Sequence, residues 1–220
     1  MTVAAIASQE ILKPHLTVAG GHSLAGTLRV SGAKNSALVL MTASLLTADT
    51  LELCNVPDLT DIGGMSQILT SLGVSVVRQA DRIRLNAAVL SGSEPPYELV
   101  NSLRASFFSI GPLLGRLGHA KVPLPGGCRI GARPVVEHLR GLKALGAVIQ
   151  VQHGIIHANV PGPNKRLQGA SIILDCPSVG ATETILMAAV LAEGTTTAPR
   201  RTSSRLSSSI RITRVTSRAS

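Results

Sequence analysis

The sequence has no tryptophan, one tyrosine and two phenylalanines among its 220 residues. So thin an aromatic set removes the stacking platforms on which single-stranded nucleic acids are bound. It has only three cysteines, an odd number at unpatterned spacing. That argues against a disulfide scaffold and for a reducing, cytoplasmic setting. No apolar run approaches the roughly 20 residues needed to cross a bilayer. Residues 1–9 lack the positive region of a signal peptide. No Cys/His spacing fits a zinc site, and no Gly-x-x-x-x-Gly-Lys-Ser/Thr loop is present. Membrane, nucleic acid and metal are therefore expected to be absent; no cofactor and no obligate protein partner are expected either.

Acid is missing from residues 198–220, which hold six arginines and account for most of the net charge of +9. Without that segment, 15 basic residues face 12 acidic ones, and the body of the chain is nearly balanced. The segment is rich in Arg, Ser and Thr and shows no trusted helical or strand period. It is expected to be a disordered or out-of-frame tail, with a polyanion-binding arm as the alternative.

What is present is a repeat. At an offset of 73, Leu69, Leu72 and Gly73 match Leu142, Leu145 and Gly146. Each copy reads as a helix, a glycine stop and two alternating strands joined by a turn. Apolar helical runs at 38–46, 107–114 and 185–191 are each followed by a short strand-like stretch, at 50–53, 119–122 and 195–197. The unit is strand, helix, strand, helix, strand, strand. Its copies cover about 24–90, 97–161 and 167–197, and the third stops after its first helix. Residues 1–15 read as an N-terminal extension and 16–197 as the folded domain. Units of this kind bury their helices only by packing on one another. The apolar helices are expected inside, with sheets carrying polar strands (81–86, 150–157) outside: an α/β (α+β) architecture turned inside out.

One loop carries the chemistry. Pro123-Leu124-Pro125-Gly126-Gly127-Cys128-Arg129-Ile130-Gly131-Ala132-Arg133-Pro134 sets a thiol among glycines and two arginines. Nearby cations favour the thiolate and suit acid–base or nucleophilic work on an anionic substrate. Arg133 offers a guanidinium fork for phosphate or carboxylate, and Pro134 opens the following helix. Ser31-Gly32-Ala33-Lys34-Asn35 leads from an expected strand at 27–30 into a helix, setting Lys34 and Asn35 where a helix N-terminus attracts anions. Arg104 opens the helix at 103–108. Asp175-Cys176-Pro177-Ser178-Val179-Gly180 forms a third strand-to-helix turn, at the place in its repeat that Ser31 to Asn35 holds in the first. His138 and Cys54 are expected to be structural, Cys54 in the core, and Cys176 inert. Convergence of the three helix mouths is what would make a site.

Taken together, Ser31-Gly-Ala-Lys-Asn35, Leu103-Arg-Ala-Ser106, the cysteine loop, Ser178-Val-Gly-Ala-Thr182 and Leu191-Ala-Glu-Gly-Thr195 resemble the bacterial enolpyruvyl transferases that act on UDP-N-acetylglucosamine. The resemblance spans about 16–197 and implies an inside-out fold built from βαβαββ repeats, in two domains flanking a cleft. It implies transfer of the enolpyruvyl group of phosphoenolpyruvate to the sugar 3-hydroxyl by addition and then elimination of phosphate, the first committed step of peptidoglycan synthesis. Cys128 then resembles the proton donor and the thiol alkylated by fosfomycin. Lys34 and Asn35 look like phosphoenolpyruvate contacts, with Asn35 also near the sugar. Arg104, the segment Arg133, Pro134, Val135, Val136, Glu137, and the turn Cys176, Pro177, Ser178, Val179 look like UDP-sugar contacts. Cys176 stands where many relatives carry a basic residue. The length is about half that of the family, so the chain is expected to be an inactive N-terminal piece or, alternatively, a non-catalytic UDP-sugar-binding half-domain.

Overall fold

A computed structural model describes residues 19–21, 23, 25–125, 135–201 and 206–213. The chain divides into two compact units, residues 1–30 and 31–220. In the first unit every described residue is exposed and none is helix or strand. This corrects the strand expected at 27–30. Its two apolar side chains, Leu28 and Val30, are 85% and 76% exposed, so burial offers nothing to hold an extended segment in a sheet. Residues 16–18, the start of the expected domain, lie outside the described residues.

The second unit begins with helix α1 (Lys34–Ala43), which tightens into a 3-10 turn at Ser44–Leu46. Then follow β1 (Thr50–Leu53), α2 (Thr60–Ser71), β2 (Ser75–Gln79) and β3 (Arg82–Asn86). Next come α3 (Tyr97–Ser102), a 3-10 segment (Arg104–Ser109) and α4 (Ile110–Leu117). The order then repeats with β4 (His119–Pro123), α5 (Val136–Ala144), β5 (Val148–Gln152) and β6 (Ile155–Asn159). Helix α6 (Val179–Val190) and strands β7 (Thr195–Arg201) and β8 (Leu206–Thr213) complete the described chain.

The offset of 73 read from the sequence relates β2 to β5 and β3 to β6 residue for residue. It extends to the backbone. Ala80 and His153 both have φ of 51° in the hairpin turns, and Gly73 and Gly146 have φ of 98° and 92° at the ends of α2 and α5. Both sheets are antiparallel with the later hairpin strand central, in the orders β1-β3-β2 and β4-β6-β5. Equivalent registers pair Arg78 with Ile83 and Val151 with Ile156.

Each sheet has one dry and one wet face. Ile83, Leu85, Ile156 and Ala158 point inward and are buried, while Arg82 and Arg84 face solvent and both bond Glu52 at 2.9 Å. Arg84 first, then Arg82, holds the Glu52 carboxyl below its ordinary pKa. The same alternation corrects Cys54. Leu51 and Leu53 turn toward the core, so Glu52 and Cys54 turn outward, and the thiol is exposed.

Helices fill the middle. In α4, Ile110 to Gly115 are all buried; in α6, Ala181, Thr184, Ile185, Met187, Ala188 and Ala189 are buried. A helix apolar on every side is stable only when surrounded, and α4 and α5 both pack on α6. At the α4–α6 crossing, a β-carbon on Gly111 would sit 2.5 Å from the Thr184 carbonyl oxygen, so glycine sets how closely the two helices approach. The fold is the inside-out α/β arrangement anticipated from the repeat.

The third copy runs further than expected. Where residues 198–220 promised no periodic structure, β7 and β8 pair antiparallel, as β1 does with β3 and β4 with β6. β-branched Thr195 to Thr197 favour strand. Ile212 pairs with Thr196 and packs half-buried on the core, while its neighbours Arg211 and Thr213 are exposed. Residues 202–205 and 214–220 lie outside the described residues.

Candidate functional site

Helix α1 starts where it does because Gly32 lets the backbone approach the 55–57 turn. A β-carbon there would overlap the Asn55 carbonyl oxygen. Ala33 is the N-cap and has no side-chain oxygen, so the first N–H groups of α1 keep their positive end uncapped by a side chain. Lys34 extends from this end and donates to Asp61 Oδ2 at 2.6 Å; Asp61 lies in the first turn of α2. Both side chains remain about 40% exposed (45% and 38%), so the pair adds little stability but fixes where the ammonium sits.

Helix α6 opens differently. Ser178 is its N-cap, and the hydroxyl oxygen accepts from the Ala181 N–H at 3.2 Å. On α5, His138 is buried. Its Nδ1 lies 2.9 Å from the Thr184 hydroxyl, and its ring meets Phe107 edge-on with centroids 5.1 Å apart. Burial, and then the charge of Arg104, push its pKa down to about 4. The imidazole is therefore neutral near pH 7 and ties α5 to α6, and His138 also lines the cavity between these elements.

These elements enclose a cavity of about 630 Å³, a size suited to a small ligand. Lys34 and Asn35 from the first repeat, Arg104 and Val135 from the second, and Ser178 and Val179 from the third all line it. Leu38, Phe107 and Phe108 supply apolar wall, and Asp61 and Glu183 supply carboxylates. Pro125 and Val135, which flank residues 126–134, both stand on the lining. Cys128, Arg133 and Pro134 lie within that stretch, outside the described residues.

The remaining expected contacts do not line the cavity. Val136 is 62% exposed. The Glu137 carboxylate accepts from the Asp175 N–H at 3.1 Å, and Arg140 bridges Glu137 and the Asp175 carboxylate. Glu137 thus braces α5 against the turn that holds Cys176 and Pro177; the Cys176 thiol is exposed. Asp61, Asn101, Glu183 and Arg140 were not singled out in the sequence. Two of them left a signal there: Glu183 is the one charged residue of α6, and Arg140 lies three residues from Glu137.

Among the described residues no helix is long and apolar enough to cross a membrane, and no group of three or more His, Cys, Asp or Glu could hold a metal ion. An inside-out α/β repeat protein with a cavity shared by three helix starts is the class that the geometry defines. Residues 18–213 match the family model of EPSP synthase (3-phosphoshikimate 1-carboxyvinyltransferase), and the chain belongs to this family. Over 197 residues, 90% of the chain, it is 77% identical to a UDP-N-acetylglucosamine 1-carboxyvinyltransferase of Synechococcus sp. (strain CC9605) and 71% identical to one of Prochlorococcus marinus (strain MIT 9313). Those matches take in 46% and 45% of the two relatives, so the chain spans less than half of their length. Two solved structures share the fold. The enolpyruvyl transferase NikO from Streptomyces tendae superposes with a TM-score of 0.68 at 22% identity, over 82% of this chain and 42% of that one. EPSP synthase from Acinetobacter baumannii gives 0.60 at 19% identity, over 82% and 41%.

Proposed function

We propose that this chain serves enolpyruvyl transfer from phosphoenolpyruvate to the 3-hydroxyl of UDP-N-acetylglucosamine, in the cytoplasmic supply of peptidoglycan precursors, and that its cavity is one wall of the substrate site. The observation that carries the reading is the meeting of Lys34, Asn35, Arg104, Ser178 and Val179 from three repeats on a single cavity whose rim also holds both flanks of the cysteine segment. Addition to an enol phosphate needs a proton delivered to its methylene carbon, and cations to offset phosphate and carboxylate charge. In this reading the Cys128 thiol gives its proton to the methylene carbon while the sugar hydroxyl oxygen bonds to the adjacent carbon and loses its own proton to solvent. Departure of phosphate, with a proton of the new methyl group returning to the Cys128 thiolate, then regenerates the double bond. Lys34, Asn35 and the uncapped start of α1 meet the phosphate; Arg104, Val135, Ser178 and Val179, with Arg133 and Pro134 from the cysteine segment, meet the UDP-sugar.

The 220 residues by themselves are expected to turn over negligibly, since the match takes in less than half of the length of the Synechococcus relative. A hybrid tests the reading: the matched stretch of the Synechococcus relative is replaced by that of this chain. It should release phosphate from phosphoenolpyruvate only when UDP-N-acetylglucosamine is present. Cys128→Ala in the hybrid should slow release by about 10² or more. A folded hybrid without release overturns the proposal; family-like rates from the 220 residues alone overturn the expectation that they are insufficient by themselves. The half-length match favours a second reading, a UDP-sugar-binding module without chemistry. It is distinguished by heat of binding in a hybrid that releases no phosphate.

A further inference from the structure

Helix α6 carries one charged side chain, Glu183, and that residue stands on the wall of the cavity. Val179 and Glu183 are four residues apart, so they share the face of α6 that meets the cavity, just inside the Ser178 cap. The position is half-buried, and desolvation raises the carboxyl pKa. Among the described residues the Glu183 carboxylate has no ion pair and no side-chain hydrogen bond. The nearby cations are engaged elsewhere: Lys34 pairs with Asp61, Arg104 is not without a partner of its own, and His138 is neutral and bonded to Thr184. A carboxylate that has lost part of its hydration with no bond in exchange is costly, and the other residues of this helix are apolar or, like Thr182 and Thr184, hydrogen-bonded. A donor arriving with the ligand offsets that cost.

We propose that Glu183 is a specificity-determining residue of this site, its carboxylate accepting a hydrogen bond from an O–H or N–H of the nucleotide sugar. This deepens the reading above and rests on it. Of the two substrates, only the UDP-sugar has such donors, in its hydroxyls, its uracil N–H and its acetamide N–H. Phosphoenolpyruvate presents ionised oxygens, which accept but do not donate and which a carboxylate repels. Glu183 therefore reserves its part of the cavity for the sugar nucleotide and keeps the second, smaller anion near Lys34.

Calorimetry on the 220-residue chain, titrated separately with UDP-N-acetylglucosamine and with phosphoenolpyruvate, tests this. Glu183→Ala should weaken UDP-sugar binding about tenfold, the worth of a charge-assisted bond, and leave phosphoenolpyruvate binding unchanged or tighter. Glu183→Gln keeps a carbonyl acceptor and should lose only about threefold; it also carries the test if the alanine variant does not fold. In the hybrid, the same variants should raise the KM for the UDP-sugar and spare that for phosphoenolpyruvate. Equal UDP-sugar affinity with and without Glu183, or equal loss of both ligands, overturns the inference and leaves the site reading standing. Absence of UDP-sugar binding in both the parent chain and the hybrid overturns the site reading, and this inference with it.

Discussion

Gly111→Ala should destabilise the protein although it replaces glycine by the best helix former. Alanine in a helix interior gains about 1 kcal/mol over glycine. Here the added methyl would lie 2.5 Å from the Thr184 carbonyl oxygen and 3.4 Å from Thr184 Cγ2. The obstacle is α6 backbone rather than the tip of a flexible side chain, and both helices are buried, so one must move. Overpacking of this kind costs about 1–3 kcal/mol. Moving α6 also stretches the 2.9 Å contact between Thr184 and His138, which adds up to about 1 kcal/mol. The net expectation is a loss of about 0–3 kcal/mol, centred on about 1.5, or up to about 12 °C in Tm for a chain of this size. Gly63→Ala is the matched control: it lies in α2, is exposed and has nothing within 4 Å of its β-carbon. It should gain up to about 1 kcal/mol. Urea unfolding with unchanged m-values measures both. If Gly111→Ala is as stable as Gly63→Ala, the close helix crossing is not a constraint and the packing argument fails.

Two further outcomes follow from buried groups. His138 has a folded pKa of about 4 against 6.5 for the free side chain. The unfolded chain therefore binds the extra proton between those values, and stability is present above pH 6.5 and lost as pH falls toward 4, by about 3 kcal/mol in all. His138→Gln should flatten that part of the stability–pH curve; an unchanged slope would show that other groups set it. Ile212→Asp should lower stability by about 1–2 kcal/mol, because Ile212 packs on the core opposite Thr196. An unchanged melting temperature would restore the expectation that residues 198–220 are unstructured.

The fold was legible because one pattern occurs twice. A helix, a glycine stop and a hairpin at an offset of 73 determine α2-β2-β3 and α5-β5-β6, down to the matching left-handed residues Ala80 and His153. Single short segments were harder. Residues 27–30 alternate as a strand would, yet pairing needs a neighbour that no local pattern specifies. Cys54 follows two inward leucines, and only the strand's phase turns it to solvent. In residues 198–220 the arginines and serines hid the isoleucine at 212 that holds β8 to the core. For the site, the sequence supplied the three helix starts, since caps, glycines and cations there are local features. It did not supply Asp61, which reaches Lys34 across 27 residues of chain, nor that Glu137 turns to Asp175 and Arg140 instead of the cavity. Those depend on how helices rotate when they pack.

Helix α6 belongs at once to the cavity wall, through Val179 and Glu183, and to the middle of the protein, through Thr184, Ile185 and Ala188. A guest held at its first turn cannot be felt there alone. Occupancy should slow amide exchange across α4 and α5 as much as around the guest itself, so that the whole interior reports whether the doorway is filled.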